Sequence, residues 1–178
     1  MTKVAICYGS RYGTTHEIAK GMAETAKTLG AEVDVIELKK EKLSTPLEEY
    51  DLVIIGSGIQ VGRWTKEPLQ FIEKHRESLS KQKVAFFVVC GDAGIPAQCD
   101  FAQKQYLDDV LANFPEINPL STGLFAGMYN LKKYNFATRA LIKSIIRKQF
   151  SEKEEIPEVL DFRDWDQING WITSLIQM

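Results

Sequence analysis

Residues 8–15 read Y-G-S-R-Y-G-T-T. The hydroxyls of Ser10, Thr14 and Thr15 stand there among two glycines, Gly9 and Gly13, that free the backbone. If a helix begins at the end of this stretch, a phosphate can accept from successive backbone N–H groups of residues 10–15, gain from the positive end of the helix dipole and take hydroxyl bonds. Arg11 and Tyr12 lie inside the same loop. Neither G-x-x-x-x-G-K-[ST] nor G-x-G-x-x-G is present, which points to a terminal monophosphate rather than a nucleoside triphosphate or a dinucleotide. The same composition also suits a plain strand-to-helix turn, so other loops have to decide.

Two further loops carry the right chemistry. Residues 56–64 read G-S-G-I-Q-V-G-R-W and residues 90–94 read C-G-D-A-G. Glycine lets the backbone approach a flat ring closely and offer its N–H groups to ring carbonyls and nitrogens. Trp64 suits either the cover of a ring face or a packing anchor, and Arg63 suits a carboxylate or phosphate. Asp92 can face a ring edge or cap its own turn, and Cys90 is either redox-active or an inert buried thiol. His16 and His75 show no acid, nucleophile or metal partner in the sequence and are read as structural or solvated.

These loops need a scaffold, and the hydrophobic pattern supplies one. Apolar, β-branched runs at 4–8, 33–38, 52–57, 84–90 and 122–126 alternate with segments of helical period, the pattern of a doubly wound α/β fold. In such a sheet a ligand sits beyond the carboxyl ends of the strands where strand order reverses. A first helix is expected over 15–29, opened by a Thr14/Glu17 capping box and closed by Gly30. A short helix start is marked by Thr45, Pro46 and Glu48. Further helices should follow Thr65, with Leu69, Ile72 and Leu79 inward, and run through Leu107, Val110, Leu111 and Phe114. A last helix is expected from an Asp164 cap, with Ile168, Trp171, Ile172, Leu175 and Ile176 on its inner face.

The length of 178 residues suits a single domain spanning 1–178. A net charge of -2 excludes a chain that is basic overall, so nucleic-acid binding is not expected. Cys7, Cys90 and Cys99 are too few and too irregular for a disulfide framework or a thiolate metal cage, so no metal is expected. No apolar stretch approaches the roughly 20 residues that cross a bilayer, and the expected location is the cytoplasm. Charge is nonetheless uneven. Residues 132–149 hold six cations and no acid, while Glu152, Glu154 and Glu155 follow close behind. This basic helical insert, at about 128–150, places Leu141, Ile142, Ile145 and Ile146 on one side and Arg139, Lys143 and Arg147 along another. It is either a lid over the core or a contact for an anionic partner.

Taken together, the three loops and their order resemble the flavodoxin superfamily over the whole chain. Y-G-S-R-Y-G-T-T, I-G-S-G-I-Q-V-G, the long basic insert and the terminal D-F-R-D-W-D-Q are most similar to its menaquinone-dependent protoporphyrinogen oxidase group. The resemblance implies a five-stranded parallel sheet of order 2-1-3-4-5 with helices on both faces, and FMN as cofactor. It implies that Ser10, Arg11, Tyr12, Gly13, Thr14 and Thr15 hold the phosphate. Ser57, Gly58, Ile59, Trp64, Cys90, Gly91, Asp92, Ala93 and Gly94 would then flank the isoalloxazine. No catalytic side chain follows from it. Two departures stand out: Tyr12 replaces the usual threonine, and no aromatic follows Gly94 before Phe101. The implied activity is an FMN-dependent oxidoreductase acting with a quinone, a porphyrinogen or a redox partner protein, with peripheral contact to the inner face of a membrane through the insert. The alternatives are a plain flavodoxin electron carrier docking to larger redox proteins and a module that keeps the fold without the cofactor.

Overall fold

Every residue from Val4 to Tyr8 is at most 1% exposed, so the strand they form must be covered on both faces. In the computed structural model, which describes residues 1–149 and 155–178, that strand is β1 (Lys3–Gly9). It lies between β2 (Glu32–Glu37) and β3 (Leu52–Gln60), followed across the sheet by β5 (Val84–Cys90) and β6 (Pro119–Ala126), all parallel. The order β2-β1-β3-β5-β6 is the expected 2-1-3-4-5 arrangement of the five long strands. A short β4 (Arg63–Trp64) folds back antiparallel on the end of β3 and completes the sheet.

The period-2 alternation of side chains sorts the core into two layers. Val4, Ile6, Tyr8, Ile54, Phe87 and Val89 pack with Ile18 and Met22 of α1 (Thr14–Thr28) and Ile168 and Ile172 of the last helix. Ala5, Cys7, Val53, Ile55, Phe86 and Val88 pack on the other face. Their partners are Phe71 and Ile72 of α2 (Lys66–Lys74), Leu79 of α3 (Arg76–Leu79), and Leu107 and Phe114. Full burial of a side chain such as Phe86 contributes about 1.5–3 kcal/mol, so these two layers carry most of the fold's stability.

Several local expectations need correction. The Thr14/Glu17 capping box does not form: Gly13, at φ 96°, is the N-cap of α1, and the Glu17 carboxylate accepts instead from Arg163 at 2.6 Å. A left-handed N-cap turns the chain too sharply for a threonine at the next position to reach back. The helix after Thr65 breaks at His75 into α2 and α3. Thr45 and Pro46 lead only into a single 3-10 turn, Leu47–Glu49. The helical stretch through Leu107 consists of α4 (Cys99–Gln103), a π-helical turn (Lys104–Asp108) and α5 (Asp109–Leu111).

The chain divides into two compact units, Met1–Gly127 with Arg163–Met178, and Met128–Phe162. The second unit contains β7 (Met128–Asn130), paired antiparallel with β8 (Val159–Asp161), and α6 (Phe136–Gln149). Ile146 is 3% exposed, but Leu141 and Ile145 are 61% and 41% exposed, so the four aliphatics do not share one inner side. Leu141 and Ile145 stand one residue, about 100°, round the helix from Ile142 and Ile146. Arg139 donates to the Leu131 carbonyl at 2.7 Å and is partly structural. Phe150, Glu152 and Glu154 lie outside the described residues. The first unit closes with α7 (Trp165–Gln177), whose N-cap Asp164 accepts from the Gln167 amide at 2.9 Å, as its sequence foretold. Among the described residues no helix is long and apolar enough to cross a membrane.

Candidate cofactor site at the carboxyl edge of the sheet

Strand register brings the three loops to one edge. Tyr8 pairs with Gly56, Gly9 with Ser57, Ser57 with Val88, Gly58 with Val89 and Cys90 with Ala126, so β1, β3, β5 and β6 end together. The break in strand order falls between β1 and β3, which is where α/β sheets of this kind bind ligands.

In the first loop, Ser10 Oγ accepts from the Gly13 amide at 3.1 Å and fixes the turn that the left-handed Gly13 completes. The first bond of α1 runs from Glu17 N–H to Gly13 O at 3.0 Å. The amides of Thr15 and His16, in the turn before it, therefore have no helical carbonyl to meet. Thr15 is 2% exposed, yet its hydroxyl bonds no protein atom among the described residues. It faces the second loop, since a Cβ built on Gly58 would lie 2.8 Å from Thr15 Oγ1. The Arg11 guanidinium leaves the loop and donates to Gln60 Oε1 at 2.7 Å. Tyr12 lies against that arginine, with Arg11 Cζ 5.7 Å from its ring centroid.

The second loop is a two-residue β-hairpin that the sequence did not reveal. Ile59 pairs with Trp64 and Gln60 with Arg63 across a tip in which Val61 and Gly62 have φ of 48° and 71°. This is the geometry of the primed turns that match strand twist, normally marked by Asn-Gly or Asp-Gly; Val-Gly gave no signal. Ser57, fully buried, clasps the base of the hairpin by accepting from the Thr65 amide at 2.9 Å. Its hydroxyl is thus taken up by the fold rather than offered to a ring. Trp64 is likewise committed: it is 6% exposed, packs in the core and donates its indole N–H to the Tyr106 carbonyl. Of the residues expected here, Gly58 and Ile59 remain at the open edge.

The third loop is a 3-10 turn, Asp92–Gly94, in which the Gly94 amide donates to Gly91 O at 3.0 Å. The Asp92 carboxylate accepts from the Tyr106 hydroxyl at 2.9 Å, a partner that lies 14 residues away and was not foreseen. Cys90 is 5% exposed, and burial pushes its thiol up to about 12. Cys7 is pushed up to about 12 for the same reason, with Asp34 adding to it. Cys99 directs its thiol to the Ala93 and Ile95 carbonyls. Phe101, 56% exposed, projects from α4 with its ring edge-on to Tyr106. Among the described residues no cluster of His, Cys, Asp or Glu could hold a metal ion.

A profile of the flavodoxin domain matches residues 5–155. The chain belongs to the flavodoxin domain family. It is also similar to the protoporphyrinogen IX dehydrogenase [quinone] of Escherichia coli strain K12, 29% identical over 177 residues that cover 99% of this chain and 96% of that protein. In three dimensions it superposes on a short-chain flavodoxin associated with a non-canonical PDU bacterial microcompartment, with a TM-score of 0.61 over 99% of this chain and 98% of that one at 14% identity. A flavoprotein from Lactobacillus acidophilus NCFM, solved in complex with FMN, superposes with a TM-score of 0.53 over 70% of this chain and 93% of that one, also at 14% identity. Within this flavodoxin domain, the strand-end loops described above occupy the edge where the sheet order reverses.

Proposed function

We propose that this protein is an FMN-dependent oxidoreductase that takes electrons from a porphyrinogen and passes them to a quinone. The observation that carries the cofactor reading is Thr15: a hydroxyl on a 2% exposed residue at the start of α1, bonded to no protein atom among the described residues. Among the described residues no side-chain oxygen is both buried and unpartnered, so this hydroxyl opens to solvent at the start of α1, where a phosphate oxygen can accept from it.

The amides of residues 10–15 and the hydroxyls of Ser10, Thr14 and Thr15 would hold the FMN phosphate, helped by the α1 dipole. Gly58, Ile59 and residues 91–94 would flank the ring. When bound, FMN supplies the electron-accepting chemistry, and the protein supplies binding, orientation and electrostatics. Tyr106 holds the Asp92 carboxylate in place beside the third loop. Cys90, with its thiol pushed up to about 12, stays protonated at neutral pH and serves as packing rather than as a nucleophile. Porphyrinogen and quinone are named from the Escherichia coli relative, which this chain matches almost end to end.

The second unit supports contact with the cytoplasmic face of a membrane, where a quinone resides. Phe136, Leu141 and Ile145 of α6 are 89%, 61% and 41% exposed, and Lys143 and Arg147 lie on the same helix. At about 100° per residue Leu141 and Ile145 fall on the side of α6 away from Lys143 and Arg147, and a helix with an exposed apolar side and a cationic side is what an anionic lipid surface rewards.

The test is an anaerobic assay of FMN-loaded protein with protoporphyrinogen IX and a menaquinone analogue. Porphyrin fluorescence should appear only when both FMN and quinone are present. A protein that takes up FMN and exchanges electrons with a reductase, yet never oxidises the porphyrinogen, would be an electron carrier instead.

A further inference from the structure

The first two of the three loops at this edge of the sheet carry no negative charge. No Asp or Glu occurs in residues 1–16 or 52–66, while Arg11, Arg63 and Lys66 fall in those stretches. Two of these cations stand on or against one hairpin. Gln60 Oε1 accepts from Arg11 Nη1 at 2.7 Å, and Arg63 stands directly opposite Gln60 across the β3-β4 hairpin. Side chains opposite one another in an antiparallel pair have Cβ atoms about 4.5–5.5 Å apart, so Arg63 and Gln60 share a face. Both arginines are exposed, and neither forms an ion pair among the described residues.

The Gln60 bond that fixes Arg11 lies in the open and costs side-chain entropy with no burial in return. The hairpin tip violates a second local rule. Val61 is 91% exposed and adopts φ 48°, a left-handed conformation that a β-branched residue tolerates poorly, and no packing offsets the strain. Asparagine or glycine would serve the turn better. Uncompensated local costs gathered on one hairpin beside a ligand site are the mark of a recognition element.

We propose that Arg11 and Arg63, flanking Gln60, are specificity residues that bind the paired carboxylates of the substrate, while Val61 meets its apolar ring. The substrate class is a flat or cyclic apolar compound bearing two acidic arms. This deepens the oxidoreductase reading and rests on it, because only a substrate brought to the cofactor edge gives the hairpin this task. Arginine suits it, since its planar fork meets a carboxylate with two parallel hydrogen bonds. Gln60 orients the Arg11 fork beforehand, so less entropy is lost on binding.

The experiment titrates protoporphyrin IX and its uncharged dimethyl ester into the FMN-loaded protein, followed by quenching of tryptophan fluorescence. The wild type should bind the diacid at least tenfold more tightly than the diester. Arg63→Gln and Arg11→Gln should each remove part of that preference, and the double variant should bring it close to one. Equal affinity of the wild type for acid and ester, or a preference kept in the double variant, would overturn the proposal. FMN and riboflavin affinities are measured in parallel. If Arg11→Gln loses discrimination against riboflavin while the preference for the diacid stays, the anion that Arg11 meets is the cofactor phosphate and the proposal fails. Absence of the flavin absorbance from every preparation would instead sink the oxidoreductase reading, and the same titration run on the flavin-free protein would then report on the arginines.

Discussion

The hydroxyl of Tyr8, near the end of β1, hydrogen-bonds Nδ1 of His16 in the first turn of α1. The bond ties together the two ends of the loop between β1 and α1, and the two ring centroids are 5.7 Å apart. Burial, then the nearby Glu37 and Glu41 carboxylates, push the Tyr8 hydroxyl well above its ordinary range, so it keeps its proton. His16, read from sequence as structural or solvated, is held in orientation by the strand.

Tyr8→Phe should remove that bond at nearly constant volume. We expect a loss of about 1 kcal/mol in unfolding free energy, with FMN affinity falling severalfold because the first turn of α1 loses its tether. Denaturant unfolding and an FMN titration on the same variant check both. Unchanged FMN affinity would show that the loop is held without the pair.

Gly58→Ala should weaken FMN binding more than it weakens the apoprotein. The new Cβ would lie 2.8 Å from Thr15 Oγ1, and the β-branched threonine can yield only by leaving its rotamer. A tenfold or larger rise in the FMN dissociation constant is expected, with an apoprotein melting temperature within a few degrees of wild type. A variant that melts early but binds FMN normally would place Gly58 in the fold and not the site.

In the native protein Cys7 and Cys90 should resist alkylation at pH 8, because burial has pushed both thiols up to about 12 and leaves almost no thiolate. Peptide mapping after iodoacetamide treatment, with and without denaturant, reports each cysteine separately. Rapid labelling of Cys90 in the folded state would contradict the buried, protonated thiol.

Acid should destabilise the fold partly through His75. Burial, and then Lys74, lower its pKa from the ordinary value of about 6.5, so the unfolded chain binds the proton first as pH falls. Stability from this group is present above about pH 6.5 and is lost on acidification through the lowered native pKa. The slope of melting temperature against pH between 7 and 5 should therefore be shallower in His75→Gln than in the wild type.

The charged helix of the second unit should govern lipid binding. Lys143→Gln with Arg147→Gln should reduce retention on vesicles containing anionic phosphatidylglycerol severalfold, and added salt should weaken wild-type retention in the same way. FMN uptake should be unaffected. Equal retention of wild type and double variant at low salt would remove the membrane from the functional reading.

The strand order came only with the family resemblance, whereas the sequence by itself determined the alternation of strands and helices and the three glycine-bearing loops. Those features are written in local patterns: nearly continuous apolar strands such as 84–90, the helical period of α1 and α7, the Asp164 cap, and glycines in the loops that follow the strands. What it could not determine were contacts between residues far apart in the chain. The commitment of Trp64 to the Tyr106 carbonyl, of Ser57 to the base of the hairpin and of Asp92 to the Tyr106 hydroxyl depends on how β3, β5 and the helix after it are stacked. The hairpin itself escaped notice because Val61 takes a conformation that its residue type disfavours, and only pairing of Gln60 with Arg63 imposes it. Local propensity specifies elements, whereas the partner of a buried polar group is chosen by whichever neighbour the packed sheet delivers.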